Sequence, residues 1–415
     1  MTTWPLSIWQ RYIVAGERRR PGSATDPWFA VNAVLRLDGP LDPQAFVASA
    51  DDLVARHDIL RARVDLATGT QIVEKSLPAT VELLTTPSGD AEELLHHPVD
   101  AATAYSPLVL RLVRLGPRDH LLAVHLHHLF GDAATLWRIL RDLGELYAAR
   151  HGAPAPRPPS GQYGEYAAHE AKLAAEREDE AAAWWRSTLG DHVTLARPSA
   201  SARDEPFALR RPVLSADDLA RLEAWARAAR GTFFTGLLAV LTERLAEHVV
   251  AGTGDHLLVN TLFERRDHPR WRTMAGPCLA PSYVAVPLAA TASLGTVAQA
   301  LSGAVRYSRY PTWTLERVAG VPFVPFVELI PQLRPATVPF GPAAATVAAA
   351  AGQRDAGETT FLGIRFRKDV DGALVAHVRG DGVGWTGAAV RATLDSLPAR
   401  VRALTAEPAF GPPPR

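Results

Sequence analysis

The stretch from His120 to Tyr147, HLLAVHLHHLFGDAATLWRILRDLGELY, constrains this chain more than any other. Leu121 to Leu126 is an apolar run followed by a Gly131-Asp132 turn, and it reads as a buried strand. Side chains alternate along a strand, so His125 and His127 share one face. If the pleat persists to its last residue, His128 shares the other face with Leu122, Val124 and Leu126. Beyond Asp132, Leu136, Ile139, Leu140, Leu143, Leu146 and Tyr147 recur at the spacing of a helix with one buried face. A histidine at the end of such a strand, with packed elements on both sides, is where a catalytic base is readily held.

A chain of 415 residues exceeds a typical single core and points to two lobes, each able to bury its own interior. Lys+Arg and Asp+Glu both number 44, so no net field draws in nucleic acid or an anionic membrane, and both partners are set aside. The lone cysteine, Cys278, rules out an internal disulfide and suits a reducing cytoplasm. Beside Pro277 and Leu279 it reads as a small buried hydrophobe. The opening residues MTTWPLSIWQRY lack the charged start and long apolar core of a signal peptide. Pro335 to Gly352, alanine-rich and interrupted by Pro339, Gly341 and Pro342, is too short to span a bilayer and reads as a mobile low-complexity surface loop.

Taken in order, Trp4 to Val14 predicts an opening helix with Pro5 in its first turn, and Val31 to Leu37 alternates like a strand. Asp42-Pro43 starts a helix that buries Phe46, Val47, Ala50, Leu53 and Val54. Strands are expected at Arg61–Val64 and Leu108–Leu115. Past Ala149, HGAPAPRPPSGQ forbids helix or central strand, which places a lobe boundary there, giving lobes 1–160 and 161–415. Tyr163 to Leu189 returns to helix, Ser215 caps another, and Thr232 to His248 is an apolar, buried one. His256–Phe263, Thr360–Arg367 and Ala373–Arg379 read as strands, Val297–Tyr307 as helix, and a helix burying Val390, Leu394, Leu397, Val401 and Leu404 closes the chain. The fold class expected is α/β (α+β) in two lobes, with any active site in the cleft between them.

Five separated motifs carry a family resemblance. His127-His128-Leu-Phe-Gly-Asp132-Ala133 resembles the HHxxxDG signature of nonribosomal peptide synthetase condensation domains, whose superfamily includes chloramphenicol acetyltransferase. Pro5-Leu-Ser7-Ile-Trp-Gln10-Arg11 resembles the family's opening motif. Leu41-Asp42-Pro43 with Arg56-His57-Asp-Ile-Leu60-Arg61 resembles the second. Tyr163-Gly-Glu-Tyr166 sits where the family has a tyrosine-containing motif, and Arg266-Asp-His-Pro269 with Gly276-Pro277 resembles those of the second lobe. The resemblance implies two chloramphenicol-acetyltransferase-like lobes forming a V around an active-site tunnel. It implies His128 as the catalytic residue and Asp132 as a structural residue paired with an arginine, for which Arg266 is the candidate; His127, taken by itself, reads as an orienting or packing residue.

By the same resemblance the donor is an acyl or aminoacyl thioester on the phosphopantetheine arm of a carrier protein. That carrier would act in trans on a free-standing enzyme, with no bound cofactor and no metal. The acceptor is an amine or alcohol, either a small molecule or a second carrier-bound group. Neutral imidazole, with an ordinary pKa of ~6.5, suits removal of a proton from such a nucleophile. Holding the nucleophile or stabilising the tetrahedral intermediate are alternative roles for His128. The chain departs from the family at Ala133, where the motif closes on glycine, and at Ala280-Pro281. Two other readings stand beside the condensation enzyme: an inactive docking domain, and an O-acyltransferase using acyl-coenzyme A. Non-catalytic relatives that recruit oxidases typically lose the first motif histidine, and His127 is retained. A zinc site on His125 and His127 lacks a completing cluster. Arg379-Gly-Asp-Gly-Val-Gly-Trp385 lacks the Lys-Ser/Thr of a phosphate loop. His96-His97-Pro98 reads as a surface loop and Arg18-Arg19-Arg20 as a solvated turn.

Overall fold

The computed structural model describes residues 1–19, 22, 29–85, 90, 93–94, 106–189, 196, 198, 201–248, 254–288, 294–308, 324–330, 337–351, 362–369 and 371–406. In chain order the first elements are β1 (Thr2–Pro5), α1 (Ile8–Arg19), β2 (Ala30–Asp38), α2 (Pro43–Arg56), β3 (Ala62–Asp65) and β4 (Thr70–Val73). There follow β5 (Thr80–Thr85), β6 (Leu108–Arg114), β7 (Asp119–His127), α3 (Ala133–Arg150), α4 (Tyr163–Glu176) and α5 (Glu178–Leu189). Then come β8 (Phe207–Leu214), α6 (Ala216–Ala228), α7 (Phe233–Ala246), β9 (His256–Glu264), β10 (Leu279–Pro287), α8 (Leu294–Arg306) and β11 (Phe326–Leu329). The last are β12 (Thr337–Phe340), β13 (Ala343–Ala351), β14 (Leu362–Lys368), β15 (Leu374–Gly380) and α9 (Gly387–Ala406).

These elements form two compact units. One comprises Met1–Glu176, Glu264–Ala280 and Leu333–Glu358, the other Arg177–Phe263, Pro281–Gln332 and Thr359–Arg415. A single cut at 160/161 is therefore not the division the chain makes. The prolines do keep 151–162 out of helix and strand. The next helix, α4, nevertheless stays with the first unit: it buries Tyr163 and Tyr166, and its Glu170 carboxylate accepts the Ile8 N–H at 2.7 Å. The helix expected through Leu189 breaks at Arg177 into α4 and α5.

In the first unit a six-stranded sheet runs β12-β13-β2-β7-β6-β5, antiparallel throughout except for the parallel β5–β6 pair. Leu35, Leu122, Val124 and Leu126 bury one face with Phe46, Leu53, Leu136, Ile139 and Leu143 of α2 and α3. Asp42 caps α2 through the Gln44 and Ala45 N–H groups, with Pro43 at the first helical position. A small sheet, β1-β4-β3, lies in the same unit. The opening helix starts later than expected. Ser7 caps α1 by accepting the Gln10 N–H (3.1 Å), and Gln10 Oε1 accepts the Ser7 N–H (3.1 Å), a reciprocal capping box that leaves Pro5 in β1.

The alanine-rich stretch read as a surface loop is instead β12 and β13, which extend this sheet past β2. Alanine has poor strand propensity, which hides the pattern. Yet Val338, Phe340, Ala343 and Ala345 are buried while Thr337, Pro339, Ala344 and Thr346 are exposed, the period of two that a one-sided sheet needs.

In the second unit the sheet order is β10-β9-β11-β14-β15-β8, with Leu258, Ile364, Phe366, Leu374 and Val378 in a core shared with Leu222, Leu238, Leu241, Leu394 and Leu397 of the helices. Ser215 caps α6, and Thr232 with Thr235 forms a capping box on α7. The glycine-rich 379–385 segment connects β15 to α9 and is tied by backbone hydrogen bonds to Ala202 and Asp204. Arg18 and Arg19, expected in a turn, instead complete α1, while His96, His97, Pro98 and Arg20 lie outside the described residues. No helix among the described residues is long and apolar enough to cross a membrane.

Candidate active site

The β7 strand ends at His127, and His128 to Phe130 form a turn. The condition that the pleat persist to His128 therefore fails at that residue, and its side-chain direction is set by the turn. Phe130 N–H and Gly131 N–H both donate to the His127 carbonyl (2.9 and 3.1 Å), closing the turn tightly. The turn requires Gly131: a Cβ there would lie 2.3 Å from Leu126 Cδ2.

Three hydrogen bonds fix His128 within this turn. Its backbone N–H donates to the Phe29 carbonyl at 2.8 Å, which extends the β2–β7 ladder one bond past the strand. Its carbonyl accepts the Trp9 Nε1–H at 2.8 Å. Its Nδ1 lies 2.8 Å from the Gly131 carbonyl. A carbonyl oxygen only accepts, so Nδ1 carries the proton, and in the neutral ring the lone pair resides on Nε2. The Trp9 and Phe29 rings flank the imidazole, with centroids 4.9 and 5.2 Å away. His127 is fully buried, and its Nδ1 accepts the Leu129 N–H at 3.2 Å.

Asp132 caps α3, its Oδ1 accepting the Thr135 N–H (2.8 Å) and hydroxyl (2.7 Å). Arg266, brought in by the returning 264–280 segment, makes a fork on the carboxylate: Nη1 to Oδ2 and Nη2 to Oδ1, both 2.9 Å. The Cys278 N–H adds a bond to Oδ2 at 3.0 Å. Arg266 Nη2 also donates to the Gly276 carbonyl (2.6 Å) and the Thr135 hydroxyl (3.0 Å). Burial pushes the Asp132 carboxyl up, but the Arg266 charge and these hydrogen bonds outweigh it and hold the group below the usual carboxylate range. Burial likewise pulls Arg266 down, and Asp132 outweighs it, leaving Arg266 well above its ordinary value. The two form a satisfied, buried ion pair.

Gly276 holds the returning segment against α4. Its φ of 135° favours glycine, and a Cβ there would lie 2.0 Å from the Tyr163 ring. Tyr163, fully buried, places its hydroxyl 2.8 Å from the Pro277 carbonyl and 2.7 Å from the Ser7 hydroxyl, joining three of the motifs. Ala133 begins α3 and is not among the residues with positive φ, so this turn has no need of the family's glycine. Burial pushes the Cys278 thiol far above its ordinary pKa, which removes it as a nucleophile near neutral pH. Among the described residues no group of three or more His, Cys, Asp or Glu could hold a metal ion.

The Arg56-His57 motif serves a second buried network. His57 Nε2 lies 2.7 Å from Asp142 Oδ2, and Arg56 and Arg138 also contact that carboxylate. Sequence reasoning missed Thr135, Trp9 and Phe29. Trp9 stands inside the quoted opening motif, but nothing in local spacing ties it to residue 128.

The condensation-domain family model matches residues 3–318. The dimodular nonribosomal peptide synthase of Bacillus subtilis (strain 168) is 30% identical over 282 residues, which cover 58% of this chain and 12% of that enzyme. The chain thus spans a small part of that relative's length. Among solved structures, the condensation domain of the Monacolin K polyketide synthase MokA has a TM-score of 0.76 at 16% identity, with 99% of each chain covered. The X-domain from teicoplanin biosynthesis has a TM-score of 0.74 at 20% identity, covering 98% of this chain and 96% of that one. At such identities the likeness speaks for the two-lobed, chloramphenicol-acetyltransferase-like fold. The family match spans most of the sequence and all of the motif residues from Ser7 to Gly276, and with it the chain belongs to the condensation-domain family.

Proposed function

We propose that this chain is an acyltransferase that forms an amide or ester bond, taking an acyl or aminoacyl thioester from the phosphopantetheine arm of a carrier protein to an amine or alcohol. The observation that supports it is the state of His128: Nδ1 engages the Gly131 carbonyl and the lone pair resides on Nε2. In this reading the acceptor's N–H or O–H gives its proton to Nε2 as it attacks the thioester carbonyl. The tetrahedral intermediate collapses with cleavage of the C–S bond, and the imidazolium returns the proton to the departing sulfur. Asp132, Arg266 and Thr135 hold the turn and the start of α3 without touching substrate, and His127 packs beneath it.

The test compares wild type with His128→Ala, using acyl-loaded carrier protein and a panel of amines and alcohols. The expected result is product from wild type and a loss of at least ~100-fold in the variant, the lower range for general base catalysis. Equal product from both would remove His128 from the chemistry. Carrier binding without turnover by wild type would favour the docking reading, and turnover of coenzyme A thioesters alone would favour the O-acyltransferase.

A further inference from the structure

The geometry points to Trp9 and Phe29 as positioning residues for His128, a pair that grips the main chain of the histidine and walls its ring at the same time. Each uses two groups. Phe29 accepts the His128 N–H with its carbonyl (2.8 Å) and sets its ring 5.2 Å from the imidazole at 33°. Trp9 donates its indole N–H to the His128 carbonyl (2.8 Å) and sets its ring 4.9 Å away at 45°. Trp9 is itself 4% exposed and backed by Tyr12, whose ring lies 5.9 Å away at 27°. It is carried on the first turn of α1, which is pinned by the Ser7–Gln10 capping box and by Glu170.

A core tryptophan needs some acceptor for its indole N–H, and in this fold that acceptor is the carbonyl of residue 128 itself. His128 lies in the turn past the end of β7, and the Trp9 bond ties its carbonyl to α1 in addition to the bonds its N–H and Nδ1 make. With the bond, the N–H, the carbonyl and Nδ1 of one residue are each committed, and rotation of the ring is resisted by aromatic faces. A base held this way keeps Nε2 at one position, and a displacement of about 1 Å at a reacting group can cost on the order of 100-fold in rate.

The test uses the full chain with 15N-labelled histidine, the His128 signals being assigned by their loss in His128→Gln. Long-range proton–nitrogen spectra at neutral pH report which ring nitrogen is protonated. Wild type is expected to show the Nδ1-protonated tautomer alone. Trp9→Leu and Phe29→Leu are expected to mix the tautomers. Trp9→Phe keeps a ring, loses the donor, guards against a variant that fails to fold, and should fall between. The second readout is kcat with an acyl N-acetylcysteamine thioester and a primary amine, and this arm alone rests on the acyl-transfer reading. There kcat per folded protein, the folded fraction being taken from circular dichroism and chemical denaturation, is expected to fall about tenfold or more in Trp9→Leu and a few-fold in Trp9→Phe, with KM within about twofold. A folded Trp9→Leu or Trp9→Phe protein with wild-type tautomer and wild-type kcat overturns the proposal. If wild type turns over no thioester, the acyl-transfer reading fails and the tautomer comparison alone decides the role of Trp9.

Discussion

Both oxygens of Asp132 are committed to scaffold bonds, to Thr135, Arg266 and Cys278, so its removal acts on the fold before it acts on chemistry. Arg266→Met leaves that carboxylate buried and uncompensated and should destabilise the protein by about 3–5 kcal/mol in chemical denaturation, more than Glu264→Gln at the exposed end of the same fork. Because the folded pKa of Asp132 lies below its unfolded value, the pair stabilises above ~3.9 and that stability is lost as pH falls through the folded pKa. His125 behaves in the opposite ionic sense. It is buried, its Nε2 has no hydrogen-bond partner among the described residues, and burial with the Arg111 charge lowers its pKa to about 4. The unfolded chain then binds the proton more readily, so stability is full above ~6.5 and falls as pH drops toward 4, by about 3 kcal/mol in all. His125→Phe should flatten that part of the stability–pH curve in urea titrations; an unchanged slope would refute the assignment. At this scale the sequence supplied the identity of His128, Asp132 and Arg266 only through the family motifs. Trp9 and Phe29 stayed hidden because contacts with residues far along the chain leave no mark on local spacing, whereas Thr135 stands three residues after Asp132, at the capping distance, and was legible there.

Among the elements, those with strong local chemistry were legible. Asp42-Pro43, Ser215 and Thr232 begin helices where capping rules place them, and β7 with α3 follows from its apolar period. The start of α1 was equally available in Ser7-Ile-Trp-Gln10, and Pro5 drew the expected start to Trp4, four residues before Ile8. The end of β7 was not legible, since the same residues that alternate up to His127 are bent away by turn bonds to its carbonyl. Strands β12 and β13 escaped for the opposite reason: alanine carries little strand signal, and pairing with β2 overrides propensity. A paired substitution checks their role. Ala345→Asp places a charge at a buried position and should cost several kcal/mol of unfolding free energy in denaturant titrations, whereas Ala344→Asp, on the exposed face, should cost about 1 kcal/mol or less. Equal effects would mean that the alternation does not describe the folded strand.

At the scale of the whole molecule, the first unit is discontinuous, and this has a measurable consequence. A fragment of residues 1–176 lacks β12 and β13, which leaves an edge of β2 unpaired, and lacks Arg266, Gly276 and Cys278, which leaves Asp132 buried without its partners. It should therefore give poorly dispersed amide spectra and no cooperative unfolding transition, while the full chain gives both; a well-dispersed fragment would show that the returning segments are dispensable. The sequence by itself determined the α/β character, the caps, the strand–turn–helix around His127 and His128, and the motifs that mark the family. These depend on periodicity, on capping within one turn and on residue identity, all of which are local. Only the tertiary structure decided where the lobes divide, that an alanine-rich stretch completes a sheet, and which backbone and aromatic groups hold His128. Those outcomes depend on contacts between segments separated by a hundred residues or more, where burial and hydrogen-bond satisfaction, not local spacing, select the partner.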